Sequence, residues 1–173
     1  MLEAAILVVF PFCMAHAAIS DMMSMTIANR VSVLLVVTFA VVAPFTGMDW
    51  TVYAWHFAAA STVFFGTFAL FAVGGMGGGD AKLLTATALW MGWNIELLQY
   101  LVAGAFIGGV LTLAILSFRR SPLAVFMSGN IFLRHFADEK AGVPYGVALG
   151  IAGMLVFPQT PLMVWALDRL SSH

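Results

Sequence analysis

The chain has 173 residues, of which 62% are hydrophobic and 9% charged, with a net charge of −1 and a mean hydropathy of +1.02. Soluble domains carry about 25% charged residues, and one this small keeps most of its residues in touch with water. Seven Lys/Arg and eight Asp/Glu therefore exclude an ordinary soluble enzyme, and the scattered basic residues exclude a nucleic-acid-binding face.

Residues 2–20 are mostly apolar and, after Glu3, uncharged over 4–20, and no Lys or Arg precedes Arg30. The positive n-region of a signal peptide is thus missing, and the stretch reads as a retained first span. Further uncharged stretches run over 31–48, 51–79, 83–95, 97–118, 121–133 and 141–167. A helix needs roughly 20 residues to cross about 30 Å of hydrocarbon, so 83–95 and 121–133 are short.

Orientation arbitrates between them. With the N-terminus outside and about six spans, the cytoplasmic segments fall near 20–30, 76–83 and 118–143. They hold Arg30, Lys82, Arg119, Arg120, Arg134 and Lys140, six of the seven basic residues, as the positive-inside rule requires. Trp50, Trp55, Trp90, Trp93 and Trp165 then form one outer aromatic belt. A crossing at 121–133 would carry Arg134 and Lys140 outside, so that segment reads as cytoplasmic interfacial or re-entrant. Stretch 83–95 must cross by parity, yet it covers only about 20 Å at helical rise. Its helix must begin earlier, drawing Asp80 and Lys82 toward hydrocarbon depth, or the bilayer must thin. Alternating β-barrel patterning is absent, so the spans are helices. The expectation is an all-α, polytopic membrane protein forming one domain over 1–173.

The densest motif is Gly74-Gly75-Met76-Gly77-Gly78-Gly79-Asp80. Glycine permits close approach of another backbone, so this cytoplasmic loop offers N–H and C=O groups to an extended peptide. The plainer reading is a flexible turn with Asp80 as helix N-cap. Asp21 ends the first span on the same side, where an acid opposes the helix dipole. Two carboxylates at one membrane depth are what aspartyl-protease chemistry needs. In a shared low-dielectric site one acid stays protonated while its partner activates water, and together they act as general acid and base.

Other polar residues fit plainer roles. Lys82 either tunes the acids or anchors its helix at the headgroups. Asp49, Glu96 and Asp168 solvate outer loop ends, and Asp138-Glu139-Lys140 is a solvated loop face. His16, His56 and Cys13 are packing residues. Met22, Met23 and Met25 pack at the interface or line a peptide groove. The lone cysteine excludes an internal disulfide. With no HExxH-type spacing, no metal or other cofactor is expected. A serine protease lacks its GxSG elbow.

On these residues the chain resembles the type IV prepilin peptidase family, whose second aspartate lies in a GxGDxKL motif. Here that motif is Gly77-Gly78-Gly79-Asp80-Ala81-Lys82-Leu83. The family's first aspartate precedes an Ile-Pro-Asn-like turn, matched by Asp21 and Ile27-Ala28-Asn29 with Ala28 in place of proline. Lys140 followed by Pro144-Tyr145-Gly146 resembles a family segment near the active site. The resemblance implies a GxGD intramembrane aspartyl protease fold with Asp21 and Asp80 as catalytic acids. It further implies that Gly77, Gly78, Gly79, Asn29, Lys82, Lys140, Pro144 and Tyr145 surround them. The chain lacks the cysteine-bearing cytoplasmic insertion of longer members, so N-methylation is not expected. It is similar to the short form serving Flp-type, tight-adherence pili in the bacterial inner membrane. The implied partners are Flp-type prepilins and pseudopilins, membrane lipid and pilus assembly machinery. Two other classes fit glycine-broken helices bearing acids: a small ion- or proton-coupled transporter, and a non-catalytic pilus-assembly subunit.

Overall fold

Helix α1 (Leu2–Ser24) and helix α2 (Asn29–Val42) pack on one another across the connection 25–28. The computed structural model describes residues 1–121 and 142–171, and among these every regular element is a helix. The segment expected to be interfacial or re-entrant lies, past Ser121, outside the described residues, as do Arg134 and Lys140. Helix α2 continues into a 3₁₀ turn, Ala43–Thr46, ended by Gly47 at φ 81. Asp49 then caps α3 (Trp50–Ala72), accepting from Thr51 Oγ1–H at 2.6 Å and Thr51 N–H at 2.8 Å. Those bonds hold the Asp49 carboxyl below the usual carboxylate range, and the residue serves a helix end as expected.

Helices α4 (Gly78–Met91) and α5 (Ile95–Arg119) follow, and then α6 (Tyr145–Val156). A 3₁₀ turn, Phe157–Gln159, links α6 to α7 (Pro161–Ser171). Helices α1, α3 and α5 and residues Asn29–Thr46 are each long and apolar enough to cross a membrane. The α6–α7 pair, bent by 52° at its break, makes a fifth candidate span.

Helix α4 is the exception and the organiser. It starts at Gly78, before Asp80 and Lys82, as the span arithmetic anticipates. Its fourteen residues still rise only about 21 Å. Helices α2, α3, α5 and α6 all pack against it, and its whole second half from Ala86 to Met91 is buried. A helix sheathed in protein need not match the hydrocarbon thickness, because protein rather than lipid meets its ends. It stops at Gly92, at φ +71, where a Cβ would lie 2.6 Å from the His56 ring. His56 is buried there, with Nδ1 donating to the Leu89 carbonyl at 2.7 Å, which bears out its packing role.

One expectation is corrected by the same burial. Trp50, Trp55 and Trp93 are exposed, but Trp90 is fully buried and cannot belong to an aromatic belt. Its Nε1–H donates to the Leu35 carbonyl at 3.0 Å, and Phe10 lies 5.2 Å away, centroid to centroid. Trp90 sits on the central helix, where even a residue near the end faces protein.

Lipid tails are as apolar as leucine, so burial from water does not hold such helices together; close packing does. Helices α1 and α6 show how. A Cβ on Gly150 would lie 2.8 Å from the Met14 carbonyl oxygen, so the two backbones meet directly. That approach brings the end of α1 beside the start of α6.

Candidate active site

Three chain segments that are remote in sequence converge at this end of the bundle. A cavity of about 580 Å³ opens between them, lined by Asp21, Met25, Gly74, Gly75, Met76, Gly77, Asp80, Gly142, Val143 and Tyr145. Both acids singled out from the sequence face it, one from α1 and one from α4.

Each acid is held differently. Asp21 lies in the last turn of α1, only 5% exposed. Its Oδ2 accepts the backbone N–H of Gly146 at 2.7 Å, a charge-assisted bond that offsets the unfavourable end of the α1 dipole. That bond needs a glycine. A Cβ at 146 would lie 2.9 Å from Asp21 Oδ2 and 2.7 Å from Ile27 Cδ1. Asp80 is half-buried in the first turn of α4, the end of a helix dipole that favours an acid. Gly77 occupies the N-cap position, with Asp80 three residues inside the helix. The Asp80 carboxyl folds back toward Gly77, where a Cβ would meet Oδ2 at 2.9 Å.

The remaining expected site residues separate into two groups. Gly77 and Tyr145 line the cavity. The Tyr145 ring covers Gly108 of α5 so closely that it leaves no room for a Cβ there. Gly78, Gly79, Asn29, Lys82 and Pro144 are not among the lining residues. Gly78 lies against the Phe71 ring, and Gly79 lies against Ile27 with 3.2 Å left for a Cβ. Pro144 is the buried residue before α6. Lys82 points elsewhere and donates to Asn29 Oδ1 at 2.9 Å, tying the start of α4 to the start of α2. Lys140 lies outside the described residues.

Ile27 and Gly146 are what the sequence reading passed over. The Ile27 side chain is a wedge between α4 and α6, touching the position of Gly79 on one side and Gly146 on the other. Both residues sit inside motifs quoted for their neighbours, which is the signal that was available. Ala28, at the family's proline position, adopts φ −66, the value a proline ring imposes. The backbone at Ala28 is therefore one that a proline could also adopt. Met25 adopts the left-handed conformation at φ 52, and its N–H bonds the Asp21 carbonyl at 2.9 Å. This strained residue lines the cavity of the two acids.

Among the described residues, no group of three or more His, Cys, Asp or Glu could hold a metal. The chemistry available is that of two carboxyls of different environment beside a glycine-walled cavity. A family model described as the type IV leader peptidase family matches residues 8–113, a span that contains both acids and ends before Pro144. No curated protein and no solved structure matches the chain.

Proposed function

The chain belongs to the type IV leader peptidase family, and from that membership and the two acids facing one cavity we propose a membrane-embedded aspartic endopeptidase. Its substrates are Flp-type prepilins and pilin-like proteins, cut at the cytoplasmic face of a bacterial inner membrane. Asp21 and Asp80 are the catalytic acids. The ionised one takes a proton from water as the water oxygen attacks the scissile carbonyl. The protonated one donates to the carbonyl oxygen, and the tetrahedral intermediate collapses as the leaving amine is protonated. Leader and mature pilin are the two products.

The observation carrying this reading is that Asp21 and Asp80, from different helices, line one cavity beside unshielded glycine backbone. Gly74, Gly75 and Gly77 form the wall against which an extended substrate lies. We take α4 as a sixth span and the N-terminus as outside. That arrangement places Arg30, Lys82, Arg119 and Arg120 with the two acids on the cytoplasmic side. The test is purified protein in liposomes incubated with a full-length Flp-type prepilin. The expected result is a single cut releasing the leader, seen by intact mass. The transporter and assembly-subunit readings predict an unchanged prepilin.

A further inference from the structure

Helix α2 carries a groove on each side, and neither shares a lining residue with the cavity of the two acids. The first, about 570 Å³, runs between α1 and α2 past Phe12, Cys13, His16, Arg30, Leu34 and Val37. The second, about 490 Å³, runs between α2, α3 and α4 past Asn29, Ser32, Val36, Phe64, Lys82 and Ala86. Val33 and Val37 line both grooves and form the ridge between them, 59% and 52% exposed. A smaller cavity sharing Val36, Phe64 and Thr85 extends the second groove toward Leu89.

The upper ends of the grooves are polar and positive. Arg30 heads one and Lys82 the other. Lys82 gives one of its three donors to Asn29, the residue next to Arg30. The first turn of α2 begins between them, and Ala28 supplies it no side-chain cap, so its dipole adds to the positive field. Each groove also holds one unpartnered polar atom. Ser32, only 8% exposed, has no partner for Oγ, and neither does the shielded Nδ1 of His16.

We propose that these two grooves bind one anionic diacyl phospholipid across α2. The phosphate lies among Arg30, Lys82 and the first turn, and one acyl chain lies on each side of the Val33–Val37 ridge. A lone amphipathic helix in these grooves would satisfy neither the paired geometry nor the shared anionic focus. Because Lys82 is two residues from Asp80 on α4 and bound to α2, the lipid braces the start of the helix that carries Asp80.

The test is native mass spectrometry of protein purified in mixed phosphatidylglycerol and phosphatidylcholine, counting lipids that survive stripping. One retained phosphatidylglycerol, favoured about tenfold over phosphatidylcholine, is expected from a desolvated phosphate contact. Arg30→Gln and, separately, the ridge variant Val33→Trp should remove that preference, while Arg120→Gln should keep it. Equal loss in Arg120→Gln would overturn the proposal in favour of diffuse surface charge. Displacement by glycerol 1-phosphate would reduce the site to a phosphate site without chains and overturn it too. Displacement by a prepilin would assign the grooves to the substrate instead and overturn it as well.

Discussion

Replacing either Asp21 or Asp80 with Asn lowers leader cleavage by about 10²–10⁴-fold, the range lost when one general acid or base is removed. Asparagine keeps the size and the acceptor oxygen of the acid. In Asp21→Asn the amide oxygen therefore still accepts the Gly146 N–H, which Asp21 Oδ2 accepts at 2.7 Å. Folding is preserved, and unchanged thermal unfolding of both variants checks this. Because neither acid works without the other, the double variant is expected to be no slower than the worse single one. KM for prepilin stays within a few-fold, since asparagine keeps the size of the acid and leaves the glycine wall of the cavity unchanged. Retention of more than a tenth of the wild-type rate by either single variant would remove that acid from the chemistry.

The second large effect is at Gly146, whose side chain does no chemistry at all. A Cβ there would lie 2.7 Å from Ile27 Cδ1 and 2.9 Å from Asp21 Oδ2. Gly146→Val must push α6 away from α1, lengthening or breaking the bond that orients Asp21. A displacement of about 1 Å in a catalytic group costs on the order of 10²-fold, so kcat falls by at least that factor. Gly109→Val is the matched control, because nothing lies within 4 Å of its added Cβ. It should cleave prepilin within about twofold of wild type, a surface substitution away from packing contacts. Loss of activity in both variants would mean that any branched residue harms the bundle, and the Gly146–Asp21 bond would lose its assigned role.

Much of the site was legible because charge is so scarce. In a chain with eight acids, an aspartate at a span end is conspicuous, and the glycine run before Asp80 marked the second partner. The place of each acid at a helix end was legible too, since it follows from counting residues along the uncharged stretches. Convergence was not. That Asp21 and Asp80 face one cavity depends on how α1, α4 and α6 pack, and no local pattern encodes it. The role of Gly146 was hidden for the same reason, as its partner Asp21 lies 125 positions away.

Trp90 shows where local rules mislead. Aromatic residues near span ends gather at membrane interfaces when their helix faces lipid. Trp90 is on a helix that neighbours enclose, and its indole bonds Leu35 inside the core. Lys82, two residues from Asp80, was read as tuning the acids or anchoring at headgroups. Two residues turn a helix by about 200°, which carries its ammonium to Asn29 on the far side of α4 from the cavity. The short uncharged stretch was the better guide: the length deficit at 83–95 anticipated an earlier helix start, found at Gly78.

If the proposed mechanism holds, both acids act on one peptide bond. A prepilin-derived peptide with a hydroxyethylene group in place of the scissile amide mimics the tetrahedral intermediate and cannot be cut. A structure of the protein with that peptide would show where the reacting carbon sits. The hydroxyl is expected within about 2.6–3.2 Å of a carboxyl oxygen of Asp21 and of Asp80 together, with the peptide backbone along Gly74–Gly77. A hydroxyl bonded to only one aspartate, or a peptide bound away from the cavity, would contradict the shared role of the two acids.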